Sequence, residues 1–394
     1  MAAVASTAGD GGERARTLEQ LLATKEIVLS CGSGGVGKTT TAAAAAAMAA
    51  THLGGKVLVL TVDPARRLAT ALGLEQFGNA ETRVPPSAFA AAGVEPRGEL
   101  WAAMLDTKAS WDDLVTRHAP DDRTRRAILG NSIYQNISGR FVQSHDYIAM
   151  ERLYEIHSAG TYDLIVVDTP PTRNAIDFLE APARMGEFFS SKLLRWLTAP
   201  SKSRMMTLAS KPFYTVADRI LGSKFLGDIA EFFSLFQAMA PGFVKRADAV
   251  TRTLADRRTT FLVVSTLEAA PLHEAEFFID ALDDRKLHLG ALVLNKVLPA
   301  YLRRTATTGV ARRLCADAGE LAAAVGDAGD ADDIARVLST VGESFLNYQV
   351  VAKREAEQRA DLARTPDVVA AVPYFDSDIH DLAGLLELGE QIGR

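Results

Sequence analysis

Between an apolar run and an alanine-rich segment, the chain carries Gly32-Ser33-Gly34-Gly35-Val36-Gly37-Lys38-Thr39. This sequence fits the phosphate-loop pattern G-x-x-x-x-G-K-[ST], and a strand before it with a helix after it is the context that the pattern requires. Its glycines let the backbone curl so that successive N–H groups face a phosphate, while the following helix presents its positive N-terminus. We predict a nucleotide site made by residues 32–39 and Thr40, in preference to a glycine-rich turn without a ligand.

Three side chains have roles in this site that follow from their chemistry. Lys38 is expected to neutralise the β- and γ-phosphates, and Thr39 to place its hydroxyl on Mg²⁺. A carboxylate at the end of another strand should hold the water shell of the metal, and Asp168 ends the apolar run 164–167. An aspartate in that place is common in any α/β protein, but the phosphate loop upstream favours the metal role.

Short apolar runs rich in β-formers alternate with helical stretches along most of the chain. The runs are Glu26–Cys31, Lys56–Val62, Leu100–Leu105, Asp163–Asp168, Thr260–Ser265, Gly290–Asn295 and Val368–Val372. Unbroken apolar runs of this length are typical of strands buried on both faces, and their alternation with helices predicts crossover connections. We therefore predict an α/β fold of the P-loop NTPase type, with a doubly wound, mostly parallel sheet.

Two stretches interrupt this alternation and define the expected domains. Residues 185–245 hold eight of the 17 Phe residues and no strand-like run, and residues of about 305–364 become a long charged helix. We expect residues 21–184 and 246–394 to form the nucleotide-binding core, with 305–364 as a helical insertion in it. Residues 185–245 would form a helical apolar subdomain, and residues 1–20 a flexible tail.

Charge and cysteine content exclude several classes of function. The 43 Lys and Arg residues against 49 Asp and Glu give a net charge of −6, which disfavours binding to nucleic acid or anionic lipid. With only Cys31 and Cys315, one subunit cannot build a disulfide framework or a multi-cysteine metal site. A reducing, cytoplasmic location fits best, since neither a secretory signal nor an apolar run of about 18 residues occurs.

The chain resembles the arsenical-pump ATPase family, the ArsA-like proteins, whose eukaryotic members target tail-anchored membrane proteins. The match is carried by Gly32–Thr41, by Thr61-Val62-Asp63-Pro64-Ala65 and by Asp168-Thr169-Pro170-Pro171-Thr172. The resemblance implies hydrolysis of Mg·ATP by in-line attack of water on the γ-phosphate, with Lys38 and Asp63 as catalytic residues. Asp63 would orient that water, although an Asp-Pro turn is the alternative for this pair.

The resemblance also implies two switches and a contact to the base. The first switch would contain Asp63 and Pro64, and the second would contain Asp168, Thr169, Pro170, Pro171 and Thr172. Asn295 falls where an asparagine hydrogen-bonds the adenine edge in similar proteins, and an ordinary Asn turn is the alternative.

The chain departs from the family pattern at positions that limit which roles of family residues can be assigned to it. These departures are those expected of an actinobacterial-type member. Ser33 stands where the family has a lysine that reaches the phosphates of a dimer partner. The resemblance therefore implies either a homodimer or a heterodimer with a lysine-bearing paralogue. It has no C-x-x-C pair for zinc and no cysteine cluster for arsenite, so neither is expected.

Apolar side chains at helical spacing mark the segment 185–245 as a candidate groove for a hydrophobic protein partner, called the client below. Flexible Met and rigid Phe suit a surface that accepts varied apolar helices. The alternative is that these helices simply pack on one another and on the sheet. The candidate groove residues are Phe189, Leu193, Trp196, Phe213, Phe225, Phe232, Phe233 and Phe236.

We therefore predict a dimeric Mg·ATP-dependent ATPase whose open and closed states capture or target hydrophobic membrane-protein segments. Contact with the membrane itself would be indirect at most. Two other functions stay open: a weakly catalytic regulatory subunit of a heterodimer, and a spatial-organising ATPase of the partition type. The last helix carries Asp378, Asp381, Glu387 and Glu390 without Lys or Arg, which disfavours membrane attachment by a partition-type protein.

Overall fold

The computed structural model describes residues 17–62, 66–74, 78–137, 142–191, 231–325, 329–361, 366–375 and 378–393. Its strands are β1 (Ile27–Cys31), β2 (Lys56–Thr61), β3 (Thr82–Arg83), β4 (Glu99–Met104), β5 (Leu164–Asp168), β6 (Thr259–Ser265), β7 (Leu289–Val297) and β8 (Val368–Pro373). They form one sheet in the order β3-β4-β2-β5-β1-β6-β7-β8. All neighbours are parallel except β3 and β4, which confirms the predicted fold class.

Helices connect the strands on both faces of the sheet. They are α1 (Leu18–Leu22), α2 (Lys38–His52), α3 (Arg66–Ala71), α4 (Pro86–Ala91), α5 (Thr107–His118), α6 (Asp122–Gly130), α7 (Ser132–Ile137), α8 (Val142–Ala159), α9 (Thr172–Ser190), α10 (Ala240–Leu254), α11 (Ala269–Asp284), α12 (Thr305–Ala316), α13 (Ala318–Val325), α14 (Ala331–Asp361) and α15 (Leu382–Gly393). Residues 231–237 are also helical. In the part of the chain described above, no helix is both long and apolar enough to cross a bilayer.

The sheet separates two hydrophobic cores, because successive side chains of each strand point to opposite faces. On β1, Ile27 and Leu29 pack into the core that α5, α8, α9, α10 and α11 cover, while Val28 packs into the core under α2 and α15. Every residue of β1, β5 and β6 is buried. The helices on the two faces of the sheet leave the carboxyl ends of these strands uncovered.

The alanine run of α2 is required by its surroundings. This helix lies between the sheet and α15, so its residues 41–51 are all buried. A Cβ on Gly389 of α15 would stand only 3.0 Å from the Cβ of Met48 and 3.1 Å from the carbonyl oxygen of Ala44. Larger side chains on α2 would therefore overpack this contact and shift the helix that carries Lys38 and Thr39 at its start.

An aromatic cluster joins residues 231–237 and α10 to the core. The ring of Phe236 lies 6.3 Å from Trp111 of α5, 5.9 Å from Tyr134 of α7 and 6.3 Å from Phe243 of α10, measured between centroids. Phe236 is 6% exposed and Phe243 is fully buried. The end of the predicted apolar subdomain is therefore part of the same hydrophobic core as the sheet, whereas the predicted domain division itself stays a prediction.

Stability should depend on pH through Asp146, a half-buried residue of α8. Burial, followed by the nearby charge of Asp177 on α9, raises the pKa of Asp146 to about 6, with Arg184 opposing the shift. The pKa of Asp146 in the folded chain exceeds its value of about 4 in the unfolded chain. The contribution of the protonated carboxyl to the free energy of unfolding is therefore fully present below about pH 4 and is lost as pH rises through about 6. We expect Asp146→Asn to raise the free energy of unfolding by about 1 kcal/mol at pH 7.5, after discounting for solvent screening.

The measurement is urea unfolding of the wild type and the variant at pH 7.5 and pH 4.5. The advantage of Asp146→Asn should shrink at the lower pH, where the carboxyl is protonated in the folded chain. Asp248→Asn is the control, since Asp248 is exposed on α10 and should change little at either pH. An equal gain at both pH values would contradict a titration effect.

Candidate nucleotide site

The carboxyl ends of β1, β2 and β5 meet at one point. Asp168, the last residue of β5, stands in register beside Ser30 of β1 and Thr61 of β2. The backbone N–H of Val62 donates to the carbonyl oxygen of Asp168 at 3.2 Å, and that of Thr169 donates to Ser30 at 3.2 Å. Open α/β sheets bind ligands in the crevice outside these strand ends, and the sequence Gly32–Thr39 leaves β1 at this crevice.

The backbone of the loop depends on glycine at two positions. Gly35 has a φ of +81° and Gly37 a φ of +97°, in the left-handed region that other residues rarely adopt. Gly37 is the N-cap residue of α2 and brings no capping side chain, so it leaves the first N–H groups of the helix available to a phosphate. A Cβ at Gly37 would overlap the side-chain nitrogen of Asn295, whereas Gly34 and Gly35 adjoin open space.

The Lys38 side chain folds back into the loop. Its Nζ donates to the carbonyl oxygen of Ser33 at 2.9 Å, and the residue is only 8% exposed. The loop backbone therefore encloses one positive charge beside the N-terminus of α2, which is the arrangement that binds a phosphate group. Ser33 is itself buried, so in this chain its side chain does not extend outward.

Thr39, Thr61 and Asp168 form a compact polar cluster at the start of α2. The Asp168 Oδ2 accepts a hydrogen bond from the Thr39 hydroxyl at 2.7 Å and another from the Thr61 hydroxyl at 3.0 Å. Asp168 is 1% exposed. A hydroxyl and a carboxylate are the hard oxygen groups that Mg²⁺ prefers, so the residues present fit a magnesium ion held together with nucleotide phosphates.

Such an ion would neutralise charge on the phosphate oxygens as it develops. Within the described ranges, no group of three or more His, Cys, Asp or Glu side chains could hold a metal ion. Mg²⁺ in nucleotide sites is usually held by one or two protein groups, the nucleotide phosphates and water.

The two predicted switches are described to different extents. Asp63 and Pro64 of the first switch lie outside the described residues. In the second switch, Thr169 is buried and its hydroxyl donates to the carbonyl oxygen of Ser30 at 2.8 Å. Pro170 is partly buried, and Pro171 is the N-cap residue of α9, which begins at Thr172. The switching roles and the catalytic role of Asp63 stay predictions.

The side chain of Asn295, on β7, contacts the phosphate loop. Its Nδ2 donates to the carbonyl oxygen of Val36 at 2.8 Å. The next residue, Lys296, reaches the same loop with its Nζ 3.4 Å from the carbonyl oxygen of Gly35. Sequence reasoning chose Asn295 as a base contact, which stays a prediction, and it missed both Lys296 and Thr61.

The candidate groove residues separate into three sets. Phe232 and Phe236 are 7% and 6% exposed and lie in the aromatic cluster, so in this structure they are core residues. Phe233 is partly buried and its ring lies 5.9 Å from that of Phe188, which is 43% exposed. The side chain of Phe189 is not described, and four others lie outside the described residues: Leu193, Trp196, Phe213 and Phe225.

Cys31 ends β1 directly before the loop. Burial raises the pKa of its thiol to about 12, so the thiol is protonated at neutral pH and is a poor nucleophile. The hydroxyl of Thr169 contacts its Sγ at 3.5 Å. Both observations fit a packing role for Cys31.

The parallel sheet, the glycine-rich loop at the N-terminus of α2 and the strand-end aspartate define a P-loop nucleotide-binding protein. Residues 25–313 match the model of the ArsA ATPase family, described as anion-transporting ATPases. This match covers most of the chain, and the chain belongs to this family. It is an ATPase.

Three relatives are similar to about 70% of this chain or more. The protein named ATPase get3 of Pyrenophora tritici-repentis is 25% identical over 302 residues, which are 75% of this chain and 81% of the fungal one. An uncharacterized protein of Streptomyces coelicolor is 30% identical over 274 residues, 69% of this chain and 62% of that protein. The ATPase get3 of Aspergillus terreus is 24% identical over 276 residues, 68% of this chain and 72% of its own.

Proposed function

We propose that the chain acts as a Mg·ATP-dependent dimer whose hydrolysis cycle opens and closes a surface that captures or targets hydrophobic segments of membrane proteins. The proposal is supported most by α9. This helix begins at Thr172, four residues after Asp168, and ends at Ser190, inside the apolar segment 185–245. A movement at Asp168 would therefore reach that segment along one helix, which has Pro182 in its interior and so a point where it can bend.

The side chains at the far end of α9 support a client surface there. Phe188 is 43% exposed although it is a large apolar residue, and it contacts Phe233. The segment 192–230 that follows contains Leu193, Trp196, Phe213 and Phe225. The buried positions of Phe232 and Phe236 support a limit for the client surface at about residue 231, because core side chains are not available to a client.

Dimer formation rests on the family resemblance, and Ser33 bears on the kind of dimer. With Ser33 where the family has its cross-subunit lysine, an identical partner supplies no lysine from this position. Lys38, Thr39 and Asp168 nevertheless lie within one subunit and support binding of Mg·ATP without a residue from a partner.

The test replaces residues 192–230 by a Gly-Ser linker and keeps residues 231–237, which the core requires. The probe is a Leu-rich 20-residue helix fused to a soluble carrier, and capture is read by co-elution with and without Mg·ATP. We expect the replacement to abolish capture while the Kd for a fluorescent ADP analogue changes less than about twofold, since no residue of the nucleotide cluster is removed. The mass of the complex, measured by sedimentation in the same samples, reports whether Mg·ATP drives dimer formation.

The matched control is Val337→Ser with Val341→Ser on α14, which removes two apolar side chains that are 58% and 52% exposed. Capture should survive in that variant. Retained capture after replacement of 192–230 would refute the client surface, and a chain that stays monomeric with Mg·ATP would refute the dimer.

A further inference from the structure

A bulge at the end of β7 faces the phosphate loop. The pairing of β7 with β8 runs regularly to Leu294 opposite Ala371 and resumes at Val297 opposite Pro373. Two residues of β7, Asn295 and Lys296, therefore stand opposite one residue of β8. Bulges of this kind bend a strand and turn its side chains in a new direction, often beside an active site.

Both bulge residues bind consecutive carbonyl groups of the loop. The Asn295 Nδ2 donates to the Val36 carbonyl oxygen at 2.8 Å, and the Lys296 Nζ donates to the Gly35 carbonyl oxygen at 3.4 Å. The Asn295 Oδ1 also accepts the backbone N–H of Lys296 at 2.9 Å, which ties the two residues together.

The backbone of Lys296 is strained. Its φ is +58°, in the left-handed region, and among the described residues only Lys286 shares a positive φ without being glycine. Glycine or asparagine would adopt this conformation at lower cost. A lysine held in such a conformation beside a functional site points to a role for its side chain.

Peptide geometry connects these contacts to the nucleotide. In a trans peptide the C=O and the following N–H point in opposite directions, so a carbonyl that is held away from the site holds the next N–H toward it. The Lys296 contact constrains the Gly35–Val36 peptide, and the Asn295 contact constrains the Val36–Gly37 peptide. Glycines at 34, 35 and 37 would otherwise let these peptides rotate freely.

We propose that Lys296 is a positioning residue of the nucleotide site: its ammonium holds the Gly35 carbonyl outward, so that the Val36 N–H is presented to a bound phosphate. The side chain acts through the loop backbone and contacts no reacting atom. Nucleotide binding is the only step involved, and the outcome is independent of client capture.

The test compares Lys296→Met, which keeps an unbranched side chain but removes the ammonium group, with Lys296→Arg, which keeps a cation. Affinity is the Kd for a fluorescent ADP analogue with Mg²⁺, and stability is the midpoint of thermal unfolding without nucleotide. Because the hydrogen bond is charge-assisted but exposed, we expect Lys296→Met to bind about 5- to 10-fold more weakly. Lys296→Arg should return the Kd to within about twofold of wild type, because it restores the donor.

Two further variants separate positioning from a general effect on the fold. Lys286→Met is the matched control. Lys286 has a φ of +55° and precedes the amino end of β7, whereas the nucleotide site lies at the carboxyl ends of the strands. It should leave the Kd unchanged. Lys296→Gly relieves the strain and removes the ammonium, so its unfolding midpoint should hold or rise while its affinity falls. A Lys296→Met Kd within twofold of wild type, or an affinity loss that simply follows a loss of stability in all variants, would overturn the proposal.

Discussion

Asp168→Asn is expected to lower the ATPase rate by about 100- to 1000-fold while the chain stays folded. The carboxylate is 1% exposed and its Oδ2 accepts hydrogen bonds from Thr39 at 2.7 Å and from Thr61 at 3.0 Å. An amide oxygen can still accept from both hydroxyls, so the local packing is preserved. The negative charge that would hold the water shell of Mg²⁺ is lost, and the phosphate charge is then less well neutralised.

Asp163→Asn is the matched control, because Asp163 lies just before the amino end of β5, far from the carboxyl end that carries Asp168. Its Oδ2 accepts the backbone N–H of Lys56 at 2.7 Å, and its removal should leave the ATPase rate within about threefold of wild type. Steady-state phosphate release at increasing Mg²⁺ is the measurement, and Asp168→Asn should need more Mg²⁺ for half-maximal activity. An Asp168→Asn enzyme with a normal rate and a normal Mg²⁺ requirement would refute the metal role.

Phe236→Ala is expected to reduce the free energy of unfolding by about 3–5 kcal/mol. The ring is 6% exposed and contacts Phe232 at a centroid distance of 4.6 Å, as well as Trp111, Tyr134 and Phe243. Truncation leaves a cavity at the centre of this aromatic cluster, and neighbours held by the sheet can relax only partly.

The comparison is Phe277→Ala on α11, where the ring is 62% exposed and truncation should cost less than about 1 kcal/mol. Urea unfolding of both variants gives the two values. A small loss at Phe236, together with a loss of client capture, would show that the ring belongs to an open groove and not to the core.

The sequence predicted the sheet well because most of its strands are buried on both faces. Such strands appear as unbroken apolar runs, and seven predicted runs correspond to seven strands with ends that differ by at most two residues. The eighth strand, β3, was missed. It has only two residues, Thr82 and Arg83, and it exists because the backbone beside β4 pairs antiparallel with that strand. No periodicity can develop over two residues.

The site was predicted as far as it is encoded in contiguous sequence. Residues 32–39 form a local motif, and Asp168 ends a recognisable strand. Thr61 has a role only because the register of β2 against β5 brings it to Asp168. Lys296 has a role only because a bulge and a left-handed φ turn it toward Gly35. Pairing register and backbone strain are properties of the folded chain, and the spacing of residues does not report them.

The position of β1 in the sheet has a consequence for synthesis on the ribosome. This strand emerges early, yet its neighbours are β5 and β6, which begin at Leu164 and Thr259. At the usual elongation rates, β1 stays without its neighbours for roughly 10–50 s, until both β5 and β6 have left the ribosomal tunnel. Asn295 and Lys296, which contact the loop at residues 32–39, are synthesised later still. Mg·ATP is thus expected to bind only near the end of folding, and to stabilise a nearly complete chain against reopening.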